Sequence, residues 1–240
     1  MHRVTCIVPA RMASTRFPGK PLVDIGGLPL VVRSAHRALA AGCFERVVVA
    51  TEDQVIVDVC QAHGLEALLT LEFPTGTDRV AWAAQQLGSP WVINLQGDEP
   101  VFPLDLLRDL CEWLPTHPTA LWTAADTALS VTDQGDEDVV KIQLGTQNPS
   151  DATDFFRSLP EACALETFAV HVGVYGGSLQ ALSRFAALPV PALELERRIE
   201  PLRALAAGMP VRALKGHWAR AAIDRREHIC SVLALLEGAA

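Results

Sequence analysis

Val8 to Leu22 reads VPARMASTRFPGKPL, a stretch of small residues, Pro9 and Gly19 along which Arg11, Arg16 and Lys20 are spread. It follows an apolar run, Val4-Thr5-Cys6-Ile7-Val8, that reads as a buried strand. A strand that breaks into such a loop suits a strongly anionic guest, above all a polyphosphate. Small residues such as Ala10 let the backbone come close, its N–H groups form a nest, and the cations neutralise charge. A solvated basic loop is the plainer alternative. The usual phosphate fingerprints fail: Gly19-Lys20 is followed by Pro21, no glycine stands five residues before Gly19, and no G-x-G-x-x-G follows the strand. The common NTPase and dinucleotide readings are thereby removed.

A second segment, Ile93 to Pro100 (INLQGDEP), follows the apolar Trp91-Val92-Ile93, so Asp98 should emerge at a strand's carboxyl tip beside Gly97, which would let a ligand pass close to the backbone. A hard carboxylate beside a polyphosphate loop suits Mg²⁺, which takes one or two protein carboxylates and completes its shell with phosphate oxygens and water. The alternative is an Asp capping the next helix, with Pro100 and Pro103 marking its start. Thr75-Gly76-Thr77-Asp78-Arg79 offers backbone and hydroxyl groups that could read the edge of a base, or a plain N-cap at Thr77 or Asp78. Ala221-Ala222-Ile223-Asp224 ends an apolar run with a carboxylate before a helix, again an N-cap or a second metal ligand. His171 and Tyr175 alternate with Val170, Val172 and Val174, so a strand places the two sets on opposite faces. A lone strand His is more often structural than a ligand.

The elements that must hold these groups alternate through the first half. Val4–Val8, Arg46–Thr51, Glu66–Thr70, Trp91–Leu95 and Ala120–Ala125 are strand-like; Leu30–Ala41, Gln54–His63, Asp78–Leu87 and Leu104–Leu114 are amphipathic. This βαβ alternation predicts a three-layer α/β fold, a mostly parallel sheet with helices on both faces. Ligands gather outside the carboxyl ends of such strands, where Arg11, Glu52-Asp53 and Gln96 to Pro100 fall. In the second half, Asp133–Asp138 (DQGDED) reads as a solvated acidic loop and Val139–Leu144 as a strand leaving it. Pro149–Thr167 has no clear assignment, Phe168–Tyr175 is strand-like, and Ser178–Leu188, Leu193–Ala207 and Arg225–Glu237 look helical. One domain over 1–240 is expected, with 1–130 as its nucleotide-binding part and 131–240 as a smaller mixed α/β acceptor and dimerisation part.

Half of the residues are apolar, enough for a large core, and 20 basic against 28 acidic residues give a net charge of −8. That balance argues against nucleic acid and anionic membranes as partners, so the cations of the first loop point to a small anionic ligand. The six cysteines are scattered without a C-x-x-C pair, as reduced core thiols of a cytoplasmic protein would be. No signal peptide or membrane span is visible.

Together, VPARMASTRFPGKPL, TGTDR, INLQGDEP, VVK at Val139–Lys141, HVGVYG at His171–Gly176 and AIDRREHI at Ala222–Ile229 resemble the family of 3-deoxy-manno-octulosonate cytidylyltransferases, the enzymes that make CMP-Kdo. The resemblance implies Mg²⁺-dependent nucleotidyl transfer, in which the anomeric hydroxyl of a 2-keto-3-deoxy sugar acid attacks the α-phosphate of CTP and pyrophosphate leaves. It implies that Arg11 and Lys20, with Arg16 as a weaker candidate, hold the triphosphate beside Pro9 and Ala10. Gln96 and the Thr75, Gly76, Thr77, Arg79 segment would recognise cytidine, and Asp98 and Asp224 would share the metal. Arg157, His171, Tyr175 and Glu200 match the family's sugar-acid residues, and a homodimer formed through the second half is implied.

The chain departs from the family where the acceptor would lie. Pro201 stands for a Gln, the stretch between Arg157 and His171 is shortened, Ala219-Arg220-Ala221 replaces Gly-x-Gly, and Glu52 replaces an Asp. A modified octulosonate, a related nonulosonate or a different acid is therefore open as the acceptor. Transfer to a sugar 1-phosphate is the second enzymatic reading, although its G-x-G-x-R loop is absent. A CTP-binding module without turnover is the non-enzymatic one.

Overall fold

Along β1 (Val4–Ala10) the side chains alternate between two cores, with Val4, Cys6, Val8 and Ala10 in one and Ile7 in the other. A strand apolar on both sides must lie inside a sheet covered on both faces. The computed structural model, which describes residues 3–13, 17–160, 163–218, 221–223 and 225–238, has that arrangement. β1 is followed by α1 (Leu30–Ala41), β2 (Arg46–Thr51), α2 (Gln54–Ala62), β3 (Glu66–Leu69), α3 (Gly76–Leu87), β4 (Trp91–Leu95), α4 (Leu104–Trp113) and β5 (Leu121–Asp126). The remainder is α5 (Val131–Gly135), β6 (Lys141–Leu144), β7 (Ala152–Phe156), β8 (Phe168–Ser178), α6 (Leu179–Ala186), α7 (Ala192–Arg197), α8 (Leu202–Ala206), β9 (Val211–Gly216) and α9 (His228–Gly238).

The sheet runs β3-β2-β1-β4-β8-β5-β9, with β6 on β8 and β7 on β6. β1 to β4 pair in parallel, as do β5 and β9, while β8 is antiparallel to β4, β5 and β6. The three-layer α/β expectation holds, and the parallel pairing belongs chiefly to its first half. α1, α2 and α4 pack on one face; α3, α6 and α8 pack on the other. Because β8 runs against its neighbours, the carboxyl ends of β1, β2, β4, β5 and β9 share one edge with the amino half of β8. That edge gathers loops from both halves of the chain.

A third, small core of Phe17, Ile25, Leu30, Ile223 and Val232 ties the loop after β1 to the segment before α9. Gly19 turns with φ +73°, the left-handed region where glycine carries no steric penalty, and its N–H donates to the Met12 carbonyl at 3.2 Å.

Two second-half expectations need correction. The helix expected over Leu193–Ala207 is broken, because Arg198 sits at φ 56° and Pro201, which has no N–H, starts a new helix as the N-cap of α8. The run Asp133–Asp138 is not simply a solvated loop: Ser130 and Asp133 form a capping box that starts α5, and Asp138 pairs with Arg225 at 2.8 Å. The unassigned Pro149–Thr167 stretch contains β7. Among the described residues no helix is long and apolar enough to cross a membrane.

Candidate active site

Gly97 is where the β1 and β4 ends close on each other. A Cβ there would stand 2.9 Å from the Pro9 carbonyl oxygen, so glycine permits a close approach of backbone to backbone, and Gly97 also lines the cavity described next. Gly97→Ala is expected to destabilise by about 2 kcal/mol and to lower Tm by roughly 6 °C in a thermal melt. An unchanged Tm would mean that the two strand ends separate freely.

Behind this junction, Lys20 Nζ donates to Asp98 Oδ2 at 2.5 Å, joining two predicted residues that lie 78 positions apart. Arg11, Lys20, Pro9, Ala10, Gly76, Arg79, Gln96 and Asp98 all line one cavity of about 770 Å³, a size suited to a small-molecule ligand. Arg16 and Asp224 lie outside the described residues. Ile223, the residue before Asp224, donates its N–H to the Asp98 carbonyl at 3.0 Å, which docks that segment on the same strand end.

The TGTDR segment divides between site and scaffold. The Thr75 hydroxyl accepts from the Asp78 N–H and caps α3, the role its alternative reading gave to a neighbour. Thr77 is buried and accepts from Asn94 Nδ2 at 3.2 Å. Arg79 is buried under the cavity, ion-paired with Glu52 and bonded to Thr70. Glu52, a departure from the family pattern, thus neutralises a buried guanidinium. Its neighbour Asp53, which drew no assigned role from the sequence, accepts from the Met12 N–H at 2.7 Å and holds the start of the cationic loop.

A second cavity, about 930 Å³, adjoins the first and shares Gln96, Asp98, Asp138, Arg157, Arg198 and Glu200 with it. His171 and Tyr175 line it from the same face of β8, with rings stacked at 5.5 Å. Burial lowers the His171 imidazole to about 4, so it is neutral near pH 7 and shares a hydrogen bond with the Thr123 hydroxyl at 2.9 Å. Burial raises both the Tyr175 phenol and the Glu200 carboxyl, and Glu200 adds to the effect on Tyr175. Glu200 Oε2 is buried with no donor among the described residues.

Arg157 lines both cavities, yet its guanidinium donates to three backbone carbonyls, those of Arg197 at 2.7 Å, Glu137 at 2.8 Å and Arg198 at 3.2 Å. In this state it clasps the acidic loop to the break between α7 and α8. Lys141, from the VVK motif, is fully buried and ties the same loop to the end of β7 through the Asp136 and Arg157 carbonyls, both at 2.6 Å.

Residues 5–211 match the family model of cytidylyltransferases. The chain belongs to the cytidylyltransferase family. The 3-deoxy-manno-octulosonate cytidylyltransferase of Verminephrobacter eiseniae (strain EF01-2) is 38% identical to it over 231 residues, covering 85% of this chain and 83% of the relative. That of Thioalkalivibrio sulfidiphilus (strain HL-EbGR7) is 39% identical over 219 residues, covering 84% and 85%. The solved structure of CMP:2-keto-3-deoxy-manno-octonic acid synthetase complexed with CTP superposes with a TM-score of 0.89 at 30% identity, covering 99% of this cytidylyltransferase and all of that chain. A cytidylyltransferase from Leptospira borgpetersenii serovar Hardjo-bovis (strain JB197), at 15% identity and a TM-score of 0.65, shares the fold.

Proposed function

We propose that this cytidylyltransferase moves CMP from CTP to the anomeric hydroxyl of a 3-deoxy-2-ulosonic acid, Kdo or a Kdo-like acid, and releases pyrophosphate with Mg²⁺ as cofactor. The observation that carries the reading is the pair of adjoining cavities that share a wall at Gln96, Asp98 and Glu200, with the Lys20–Asp98 ion pair at their junction. One cavity has the cations that a triphosphate needs. The other has an uncharged imidazole, a phenol and an orphaned carboxyl oxygen suited to sugar hydroxyls. The solved relative complexed with CTP supports CTP as the nucleotide.

In this reading Arg11 and Lys20 bind the triphosphate and stabilise the charge that collects on the leaving pyrophosphate. The acceptor's anomeric oxygen forms its bond to the α-phosphorus as the bond to the bridging oxygen breaks, and its proton passes to solvent. Glu200 and His171 orient the acceptor for in-line approach, so the protein's share of the work is positioning and electrostatics.

The residues fit Mg²⁺. Asp98 offers a hard oxygen at the junction, already facing the Lys20 cation. Asp98, with Asp224 two residues beyond Ala222, would hold the ion. When bound, the ion would neutralise charge on the triphosphate and the transferring phosphoryl group.

The test is pyrophosphate release with CTP, Mg²⁺ and a panel of keto-deoxy acids that includes Kdo. Release that requires CTP and one acid together is expected. Silence with every acid, in a protein that CTP stabilises against heat, would leave a binding module in place of an enzyme.

A further inference from the structure

α1 and α4 pack on the same face of the sheet, and two side chains tie them together. Arg37 on α1 donates through Nε to the Phe102 carbonyl just before α4, at 2.7 Å, and Arg108 on α4 donates through Nε to the Ala41 carbonyl at the end of α1, at 3.0 Å. Gly42 then turns the chain with φ 68°, and Cys43 follows. The turn leaves Cys43 Sγ 3.3 Å from Cys111 Sγ, with the Cys111 thiol as the donor. Two of the six scattered cysteines, 68 positions apart, thus meet as a dithiol that no spacing motif announces.

The two thiols are not equivalent. Cys43 is partly exposed, so a small oxidant can reach it, whereas Cys111 is buried on α4 behind it. The thiolate is the reactive form of cysteine, and the hydrogen bond from Cys111, helped by the nearby Arg108 guanidinium, holds the Cys43 thiol below its ordinary range. Because a disulfide spans about 2.05 Å, joining the sulfurs needs an approach of about 1.3 Å, within reach of side-chain rotation at Cys43. Cys6 on β1 also lies near Cys43, but it is fully buried, and burial pushes its thiol up. Neither Cys43 nor Cys111 lines the cavities of the candidate site.

We propose that Cys43 and Cys111 form a reversible oxidation site, at which hydrogen peroxide is reduced and the two thiols close into a disulfide joining the end of α1 to α4. The Cys43 thiolate attacks one peroxide oxygen and the O–O bond breaks. A sulfenic acid is left on Cys43, and the departing hydroxide takes up the proton that Cys43 gave, leaving as water. The Cys111 sulfur then attacks the Cys43 sulfur, the S–O bond breaks, and the hydroxyl leaves with the Cys111 proton as a second water. Two thiols have lost two electrons and two protons, and one peroxide has become two waters. The buried partner stops the exposed thiol at a stage that a reductant can undo, short of the irreversible sulfinic acid.

The test is mild treatment of the whole chain with hydrogen peroxide, in a background of Cys163→Ser and Cys230→Ser that removes the other thiols not fully buried. Peptide mapping without reductant is expected to find Cys43 linked to Cys111, with a loss of two free thiols that dithiothreitol restores. In Cys111→Ala the same treatment should leave Cys43 as sulfenic acid and then sulfinic acid, the latter about tenfold above its level in the parent. Should Cys111→Ala not fold, Cys43→Ala changes a partly exposed position and should abolish the linkage while Cys111 stays reduced. Three results in the parent protein would each overturn the proposal, by showing two thiols that are only packed together: both thiols still free after peroxide, Cys43 oxidised to sulfinic acid with Cys111 untouched, or Cys43 linked to Cys6.

Discussion

Asp98→Asn is expected to lower turnover about 10³-fold, which corresponds to about 4 kcal/mol of transition-state stabilisation, while the fold stays intact. The substitution keeps shape and removes the negative charge that faces Lys20. The Asp98 backbone oxygen, which receives the Ile223 N–H and docks the C-terminal segment, is untouched. Lys20, now without its carboxylate, is partly exposed and can hydrate, so the stability cost should stay near 1 kcal/mol. The measurement is steady-state pyrophosphate release in parallel with a thermal melt and the Tm shift produced by CTP. Activity within tenfold of wild type would remove Asp98 from the chemistry. Loss of activity with loss of the melt would make it structural.

The largest effect on stability is expected at Arg203, which is buried and bridges two carboxylates from distant parts of the chain. Its guanidinium donates to Asp78 at 2.9 Å and to both Glu194 oxygens, at 2.9 and 2.7 Å, and lies over the Phe185 ring at 4.8 Å. The pairing holds the guanidinium charged, Glu194 first among the causes. Arg203→Met fills most of the space but strands Glu194, itself buried, with no opposite charge. Removing one partner of a buried pair costs about 3–5 kcal/mol, or roughly 10 °C in Tm for a chain of this size. Arg203→Met combined with Glu194→Leu should recover part of that loss, since the carboxylate that needed a partner is gone. A single variant that melts within 2 °C of wild type, a drop of roughly 1 kcal/mol or less, would show that the bridge contributes little.

Most of the first half was legible because its signals are local. Val4–Val8, Arg46–Thr51 and Trp91–Leu95 are short apolar runs between amphipathic segments, and the strands lie there, with β1 extended to Ala10. The cationic loop and Asp98 were legible for a related reason: charge at a strand's carboxyl tip stands out against apolar flanks.

The second half was harder to read because its elements depend on partners far along the chain. β7 is a strand because β6 pairs with it, and Arg197, through Asp154 at 2.9 Å, anchors it to α7. The helix pattern of Leu193–Ala207 ran through Arg198 unbroken, since periodicity does not register a single left-handed residue. Arg157 shows the same limit at the site. The resemblance matched it to a sugar-acid residue and said nothing of its partners: it lines both cavities, and the three carbonyls that hold its guanidinium come from positions 137, 197 and 198.

Residue types and their order along the chain were enough to settle the family, the α/β layering and which groups stand at strand tips, because each depends on neighbours a few positions away. Pairing of Lys20 with Asp98, the burial of Arg79 on Glu52 and the shared wall of the two cavities came only with the folded chain. Each joins side chains dozens of residues apart. Hydrogen-bond direction and desolvation are set by what surrounds a group in space, and no spacing in one dimension encodes that.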